Sequence, residues 1–277
     1  GCPSEYDQRN AQPGRGSLLM VGFFIKKAFF DGWDNLISMV VHNLGYLLLL
    51  FAFFGVLSLV STSTLLFFIV IILGTGALAF YTAGASSATW AYARYQRPGW
   101  SDFKRGIRIS WRHALLFWFL LLLVLTLVFL VIPFYLSFEN IVGIILGVII
   151  FWVTLLLIFA LMYFFPLFFA MQGDRPMKTL KKSFLLVLDN PFFTLFLAVY
   201  QVINTLFSLL LAFLAPGFTG ISLAGSVATK LLLFKYDYLE EHPETGRKAI
   251  PWDDLLYEER EAVGPRSLKG MIFPWKD

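Results

Sequence analysis

Three polar side chains lie at helical spacing within an otherwise apolar stretch near residue 200. Gln201, Asn204 and Ser208 are separated by three and four residues, so they share one face of a helix. Amide and hydroxyl groups inside an apolar segment either form hydrogen bonds to a neighbouring helix or line a path for a polar solute. The spacing leaves both roles open, and bonding between helices is the simpler one.

A lysine is the second group that could carry chemistry. Lys230 lies inside the last of the apolar segments described below, toward its end, and Lys235 follows at the boundary of that segment. The long side chain of Lys230 either reaches back to the lipid headgroups or serves as a functional buried charge. With Gln201, Asn204 and Ser208, it completes a candidate polar path.

Motifs for enzymatic or metal chemistry are missing from the sequence. There is no P-loop, no dinucleotide-binding glycine motif and no HExxH pair. His42, His113 and His242 are far apart, which favours interfacial or capping roles over metal binding. Cys2 is the single cysteine, so the chain can form neither an internal disulfide nor a thiolate metal site. We predict no catalytic residue, no cofactor and no metal.

Composition places the chain in a membrane. It is 58% hydrophobic and 14% charged, outside the range of soluble domains. About 20 apolar residues span a bilayer as a helix, which satisfies its own backbone hydrogen bonds. The candidate spans are residues 44–60, 64–83, 114–136, 141–166, 191–214 and 217–236. The last contains Lys230 and many small residues, so it is either a span or a re-entrant or partly interfacial segment.

Positive charge is confined to one set of loops. The loops near residues 61, 137 and 215 have no Lys or Arg. By the positive-inside rule, both termini are predicted to be cytoplasmic. The net charge of +4 then reflects topology and contact with anionic lipid headgroups and requires no nucleic acid. The residues predicted to contact headgroups are Lys104, Arg105, Arg108, Arg112, Lys178, Lys181 and Lys182.

One pattern occurs three times along the chain. Apolar residues spaced by four begin at Trp33, Phe103 and Leu180, and each run ends in a polar pair before a span. Each run is typical of an amphipathic helix on the cytoplasmic interface, with the polar pair as the point where the chain turns inward. We predict an all-α polytopic bundle of three units, each an interfacial helix plus a helical hairpin.

The returning spans carry small residues at a spacing of four, whereas the outgoing spans are rich in Leu and Phe. Because small residues let helix backbones approach closely, we expect the small-faced spans to pack centrally and the bulky spans to face lipid.

Composition divides the chain into three parts. Residues 1–19 are polar and predict a disordered extension, residues 20–236 form the membrane domain, and residues 237–277 form a charged cytoplasmic tail. The tail contains a short amphipathic helix near residue 255, whose acidic face we expect to meet basic cytoplasmic loops. It ends in an apolar cluster that indicates docking, either on the same chain or on a partner protein. The docking cluster is Met271, Ile272, Phe273 and Trp275.

Three stretches together resemble a known family. MVGFFIKKAFFDGWDN, GASSATWAYARYQRPGWSDFKRGIR and LKKSFLLVLDNP are similar to the YesL-like family of small bacterial membrane proteins. The resemblance covers roughly residues 20–236. It implies a helical bundle in a family often encoded beside carbohydrate ABC importers, and it assigns no catalytic residues.

Two functions follow as hypotheses. The first is a non-enzymatic accessory or scaffold protein of the inner membrane that assists a carbohydrate ABC import system. The second is a small solute transporter or channel whose polar path is lined by the fifth and sixth spans.

Overall fold

The computed structural model describes residues 15–138, 140–244 and 250–266. Within these ranges the chain is helical and contains no β-strand. The helices are α1 (Arg15–Asp34), α2 (Leu36–Leu59), α3 (Thr64–Ala93), α4 (Trp100–Thr126), α5 (Ile132–Leu136), α6 (Ile141–Ala170), α7 (Pro176–Asp189), α8 (Pro191–Leu210), α9 (Gly217–Glu241), α10 (Trp252–Leu255) and α11 (Tyr257–Val263). A π-helical segment, Leu127–Val131, joins α4 to α5.

Six helical stretches in this part of the chain are long and apolar enough to cross a membrane. They are α2, α3, the continuous stretch Trp100–Leu136, α6, α8 and α9. The protein is therefore an all-α polytopic membrane bundle, as the composition predicts.

Only the third of the predicted polar pairs turns the chain. At Asn190 helix α7 ends and α8 begins, because Pro191 lacks the N–H that would continue the helix. The Asn190 side chain donates to the Leu186 carbonyl at 3.1 Å, so it serves the end of α7 and not the start of α8. The prediction of a turn is wrong at the other two pairs, which lie inside the continuous helices α2 and α4.

The basic first part of α4 continues into its apolar second part without a break in the helix. The helical stretch Trp100–Leu136 has 37 residues. At 1.5 Å per residue it is about 55 Å long, well beyond the ~30 Å hydrocarbon core. Its cationic end therefore extends past the core along the helix axis, and no separate surface helix is needed to place these charges in water.

Burial differs strongly between the apolar helices. Helices α3 and α6 each bury twelve residues, whereas α2 and α8 each bury four. In the most apolar stretch of α9, 67% of the residues are buried, compared with 6% in that of Trp100–Leu136. Small side chains account for the close packing of α3, as expected, whereas most of the residues that α6 buries are aromatic or aliphatic.

The chain forms two compact units. The bundle unit comprises residues 35–226, and the terminal unit comprises residues 1–34 with residues 227–277. In the terminal unit, α10 and α11 pack on α1. Helix α1 begins at Arg15, four residues before the predicted end of the N-terminal extension at residue 19.

Candidate functional site

A single buried amide organises the neutral polar core of the bundle unit. Asn43 is fully buried on α2. Its Nδ2 donates to the carbonyls of Leu214 and Pro216 at 3.0 and 2.9 Å. Its Oδ1 accepts from the N–H and the hydroxyl of Thr219 at 2.9 and 2.8 Å. All the ordinary roles of an amide side chain are used, so Asn43 fixes the turn between α8 and α9 to α2.

The turn that Asn43 holds has an unusual backbone. Ala212 and Phe213 have φ of 50° and 59°, and Gly217 has φ of 60°, a left-handed value that glycine adopts without a Cβ penalty. The Gly217 N–H donates to the Ser208 hydroxyl at 2.9 Å, so the end of α8 satisfies a backbone donor at the start of α9.

Hydroxyl groups continue this neutral core between α3 and α9. The Thr89 and Ser222 hydroxyl oxygens are 2.9 Å apart, and Thr89 is also 3.1 Å from the Ser226 hydroxyl. Ser86 lies 3.1 Å from Ser222. These four short side chains let the two helices approach and also pair their polar groups.

A cavity of about 250 Å³ adjoins this core. Its walls are mainly aromatic and aliphatic, and the residues that line it carry no charge. The side chains with polar atoms on the cavity are Tyr46, Thr82, Ser86, Gln201 and Ser222. Gln201 Nε2 makes only a long 3.5 Å contact to the Ile221 carbonyl, so its amide retains bonding capacity toward the cavity.

One wall of the cavity contains a proline within a helix. Pro166 lies inside α6 and has no N–H to donate to the Met162 carbonyl one turn earlier. Gly225 of α9 faces that carbonyl, and an added Cβ would lie 2.8 Å from the oxygen. A larger residue at position 225 would therefore separate α6 from α9.

The four residues of the predicted polar path do not form one set. Gln201 lines the cavity, whereas Ser208 donates to the Asn204 carbonyl at 2.6 Å and accepts from Gly217. Asn204 lies on the same helix as Gln201 but does not border the cavity. Lys230 belongs to the terminal unit, where its ammonium pairs with a carboxylate.

That carboxylate belongs to a buried ion cluster in the terminal unit. Glu259 of α11 lies 2.5 Å from Lys230 and 3.1 Å from Lys27 of α1. Lys27 also pairs with Asp31, one turn along α1, at 3.0 Å. Lys27 is fully buried, and Asp31 and Glu259 are nearly so. Two cations and two anions thus balance one another, and the Lys230 side chain, at 14% exposure, is the most accessible of the four.

Burial dominates the chemistry of Asp31 in this cluster. It raises the pKa of the Asp31 carboxyl from 3.8 to about 6, because desolvation penalises the charged form. The Coulombic attraction of Lys27, its hydrogen bond and the charge of Lys230 oppose this shift, and the charge of Glu259 adds to it.

Further contacts fasten the tail around this cluster. Lys26 donates to the Gly264 carbonyl at 2.8 Å, and Arg266 donates to both carboxylate oxygens of Asp34 at 2.8 and 2.9 Å. Arg266 also lies over the Phe30 ring. The tail helices α10 and α11 therefore pack on α1 within the terminal unit, and docking on the interfacial helices or on a partner protein stays a prediction. The predicted docking residues Met271, Ile272, Phe273 and Trp275 lie outside the described residues.

Most of the predicted headgroup cations are exposed. Lys104, Arg105, Arg108, Arg112, Lys178 and Lys181 are exposed, and Lys182 is half-buried. Lys104 and Arg112 lie over the rings of Trp100 and Trp111, as cations beside an interfacial aromatic belt do. Lys178 and Lys182 both pair with Asp174, so this one carboxylate offsets part of the charge of the two ammonium groups.

Two organising residues escaped the sequence prediction. Asn43 was assigned to a turn, although its position one residue before an apolar run is also typical of a buried polar anchor. Glu259 was assigned only to an acidic tail helix. Lys27 and Lys230 both lie in apolar stretches of the sequence. Because a buried ammonium group needs a counter-charge, these two lysines were the signal for a carboxylate partner.

Comparison with known proteins gives no assignment. No protein-family model matches the chain, and neither a curated protein nor a solved structure matches it. Among the described residues, no group of three or more His, Cys, Asp or Glu side chains could hold a metal ion.

Proposed function

We propose that the protein is a non-enzymatic accessory or scaffold protein of the bacterial inner membrane, with both termini in the cytoplasm. The observation that supports this proposal best is the ion cluster of Lys27, Asp31, Lys230 and Glu259. Its charges are used to join three separate segments of the terminal unit, and no substrate is needed to balance them. Charges used in this way have a structural role within the terminal unit, which fits a scaffold better than a substrate site.

The partner class is a carbohydrate ABC import system, and this part of the proposal rests on the resemblance to YesL-like proteins alone. The exposed cations of α4 and α7 add a surface that is attracted to anionic lipid headgroups and to acidic protein surfaces. A scaffold held against the membrane by such a surface would present its terminal unit to a neighbouring membrane complex.

Affinity purification from native membranes tests the accessory role. After mild cross-linking, we expect the protein to recover an importer in stoichiometric amount. In a strain that lacks the protein, the assembled importer should decrease. Glu259→Gln should weaken the association, and Glu258→Gln, an exposed neighbour on the same helix, should not. Unchanged importer assembly in the deletion strain would contradict the proposal.

A small solute transporter or channel is the second candidate, and the cavity beside Gln201 favours it. A neutral lining that combines hydroxyl and amide groups with aromatic rings suits a small uncharged polar solute. Purified protein in liposomes would then conduct such a solute, and Gln201→Leu would abolish the flux. Flux of this kind would replace the accessory role as the primary function.

A further inference from the structure

Length and composition qualify six helical stretches as spans, but the contacts within the bundle unit show how deep each one reaches. The far side is defined here as the side where α2 ends at Leu59 and α3 begins at Thr64. The near side is where α3 ends and α4 begins. Helices α2, α3, α6 and the stretch Trp100–Leu136 connect these two sides.

The turn between α8 and α9 does not lie on the far side. It is bound to Asn43, which precedes the far end of α2 by sixteen residues. At 1.5 Å per residue, about 24 Å of α2 extends beyond the level of the turn. Phe218, next to the turn, packs on Tyr46 with ring centroids 5.1 Å apart. Tyr46 in turn donates to Thr82, which lies about 27 Å along α3 from its first residue.

Helix α9 then leads away from the far side. Ser222 and Ser226 contact Thr89, which lies beyond Thr82 toward the near end of α3. The turn is thus the point of the α8–α9 pair that lies closest to the far side. A full span would instead have placed this turn beside residues 60–63.

Helix α8 also has both ends in the near half of the bundle. Near its start, the Thr194 hydroxyl lies 3.1 Å from the hydroxyl of Tyr163, seven residues before the near end of α6. Near its end, Ser208 contacts Gly217 beside Asn43. The 20 residues of α8 are long enough to cross the core, yet neither end is anchored at the far side.

We propose that α8 and α9 form a re-entrant hairpin, and that the exposed face of α8 binds the acyl chains of the near leaflet alone. That face is apolar along its whole length, and Phe192 and Leu210 at its two ends are 88% and 79% exposed. Its other residues include Leu195, Val199, Val202 and Leu206. The opposite face buries Thr194, Leu197 and Ser208 against the bundle. The membrane is therefore crossed four times, and the exposed apolar face of α8 lies in one leaflet.

This arrangement satisfies the backbone without a partner protein. A turn at membrane depth is tolerated where its polar groups are bound by protein. Asn43 and Ser208 supply those bonds for the carbonyls of Leu214 and Pro216 and for the N–H of Gly217. The cavity beside Gln201 lies against the hairpin and is consequently confined to the near half of the bundle.

Cysteine labelling tests the depth of the turn. In a Cys2→Ser background, single cysteines replace Ala212 in the turn, Thr62 on the far side and Gln172 on the near side, all of them exposed. A membrane-impermeant maleimide is then applied from each side of sealed vesicles. We expect Ala212→Cys to react from the Gln172 side or only after detergent is added. Reaction from the Thr62 side would overturn the proposal.

Depth measurement tests the leaflet. Spin labels at Leu195→Cys, Val202→Cys and Leu209→Cys report depth through their relative exposure to oxygen and to a water-soluble nickel complex. A full span gives a maximum of depth at position 202 and a return to the surface at position 209. We expect all three labels to remain in the near half, with no return to the far surface. Size-exclusion profiles that match the parent protein identify folded variants.

Discussion

The two compact units bury polar groups of different kinds. In the bundle unit these groups include neutral ones such as Asn43, Thr89 and Ser226. In the terminal unit they are charged, as with Lys27 and Glu259. A neutral group needs only a hydrogen-bond partner, whereas a buried charge also needs a counter-charge to offset its desolvation. The terminal unit should therefore respond more strongly to charge changes and to pH than the neutral core around Asn43 does.

Removal of the central carboxylate should have the largest effect. Glu259→Gln leaves Lys27 and Lys230 with less counter-charge in a buried site, and we expect docking of the tail to weaken by about 3 to 5 kcal/mol. Hydrogen exchange over residues 252–263 measures this weakening of tail docking. Glu258→Gln is the matched control on the same helix. Equal exchange in both variants would show that the cluster does not hold the tail.

Removal of the central amide should come next. Asn43→Leu keeps the volume but leaves the Thr219 N–H and the carbonyls of Leu214 and Pro216 without partners. We expect a loss of roughly 2 to 4 kcal/mol in the free energy of unfolding in detergent. Asn204→Leu, which breaks no side-chain hydrogen bond among the described residues, should lose far less. A loss from Asn43→Leu that changed strongly between pH 5 and pH 8 would contradict the contrast between the units.

The pH response of the terminal unit depends on Asp31. Because its folded pKa of about 6 exceeds the ordinary 3.8, the folded protein binds the proton more tightly than the unfolded chain does. Stability from this group is thus highest below pH 3.8 and decreases as the pH rises to about 6. Asp31→Asn should remove this decrease, so that the variant gains roughly 1 to 3 kcal/mol relative to the parent between pH 4 and pH 6.5. Asp34→Asn, at a half-exposed position, serves as control, and parallel profiles for Asp31→Asn and the parent would refute the assignment.

Charges on the surface should have the smallest effects. Lys181 is exposed, whereas its neighbour Lys182 pairs with Asp174. Lys181→Gln should reduce the preference for anionic over zwitterionic lipid by about 1 kcal/mol, and Lys182→Gln should change it less. Spin-labelled lipids measure this selectivity. If Lys182→Gln has the larger effect, the exposed cation is not the one that contacts headgroups.

Local patterns in the sequence predicted what depends on the neighbouring residues along the chain. The helix break at Asn190 follows from Pro191, and the central packing of α3 follows from its small residues at a spacing of four. The polar pairs at residues 42–43 and 112–113 were predicted to break the helix and do not. A polar side chain at such a position can bond to a residue far away in sequence, as Asn43 does to Thr219. The helix can then continue through the polar pair.

By itself, the sequence determined that the chain is helical, that it belongs in a membrane and that the small-residue face of α3 is packed. These properties depend on composition and on spacing along a helix, both of which are local. Tertiary structure decided that Lys230 pairs with Glu259 and that the turn after α8 is bound to Asn43, because such pairings join residues far apart in sequence. Apolar length indicates that a helix can cross a bilayer, whereas only contacts between helices fix the depth at which it turns back.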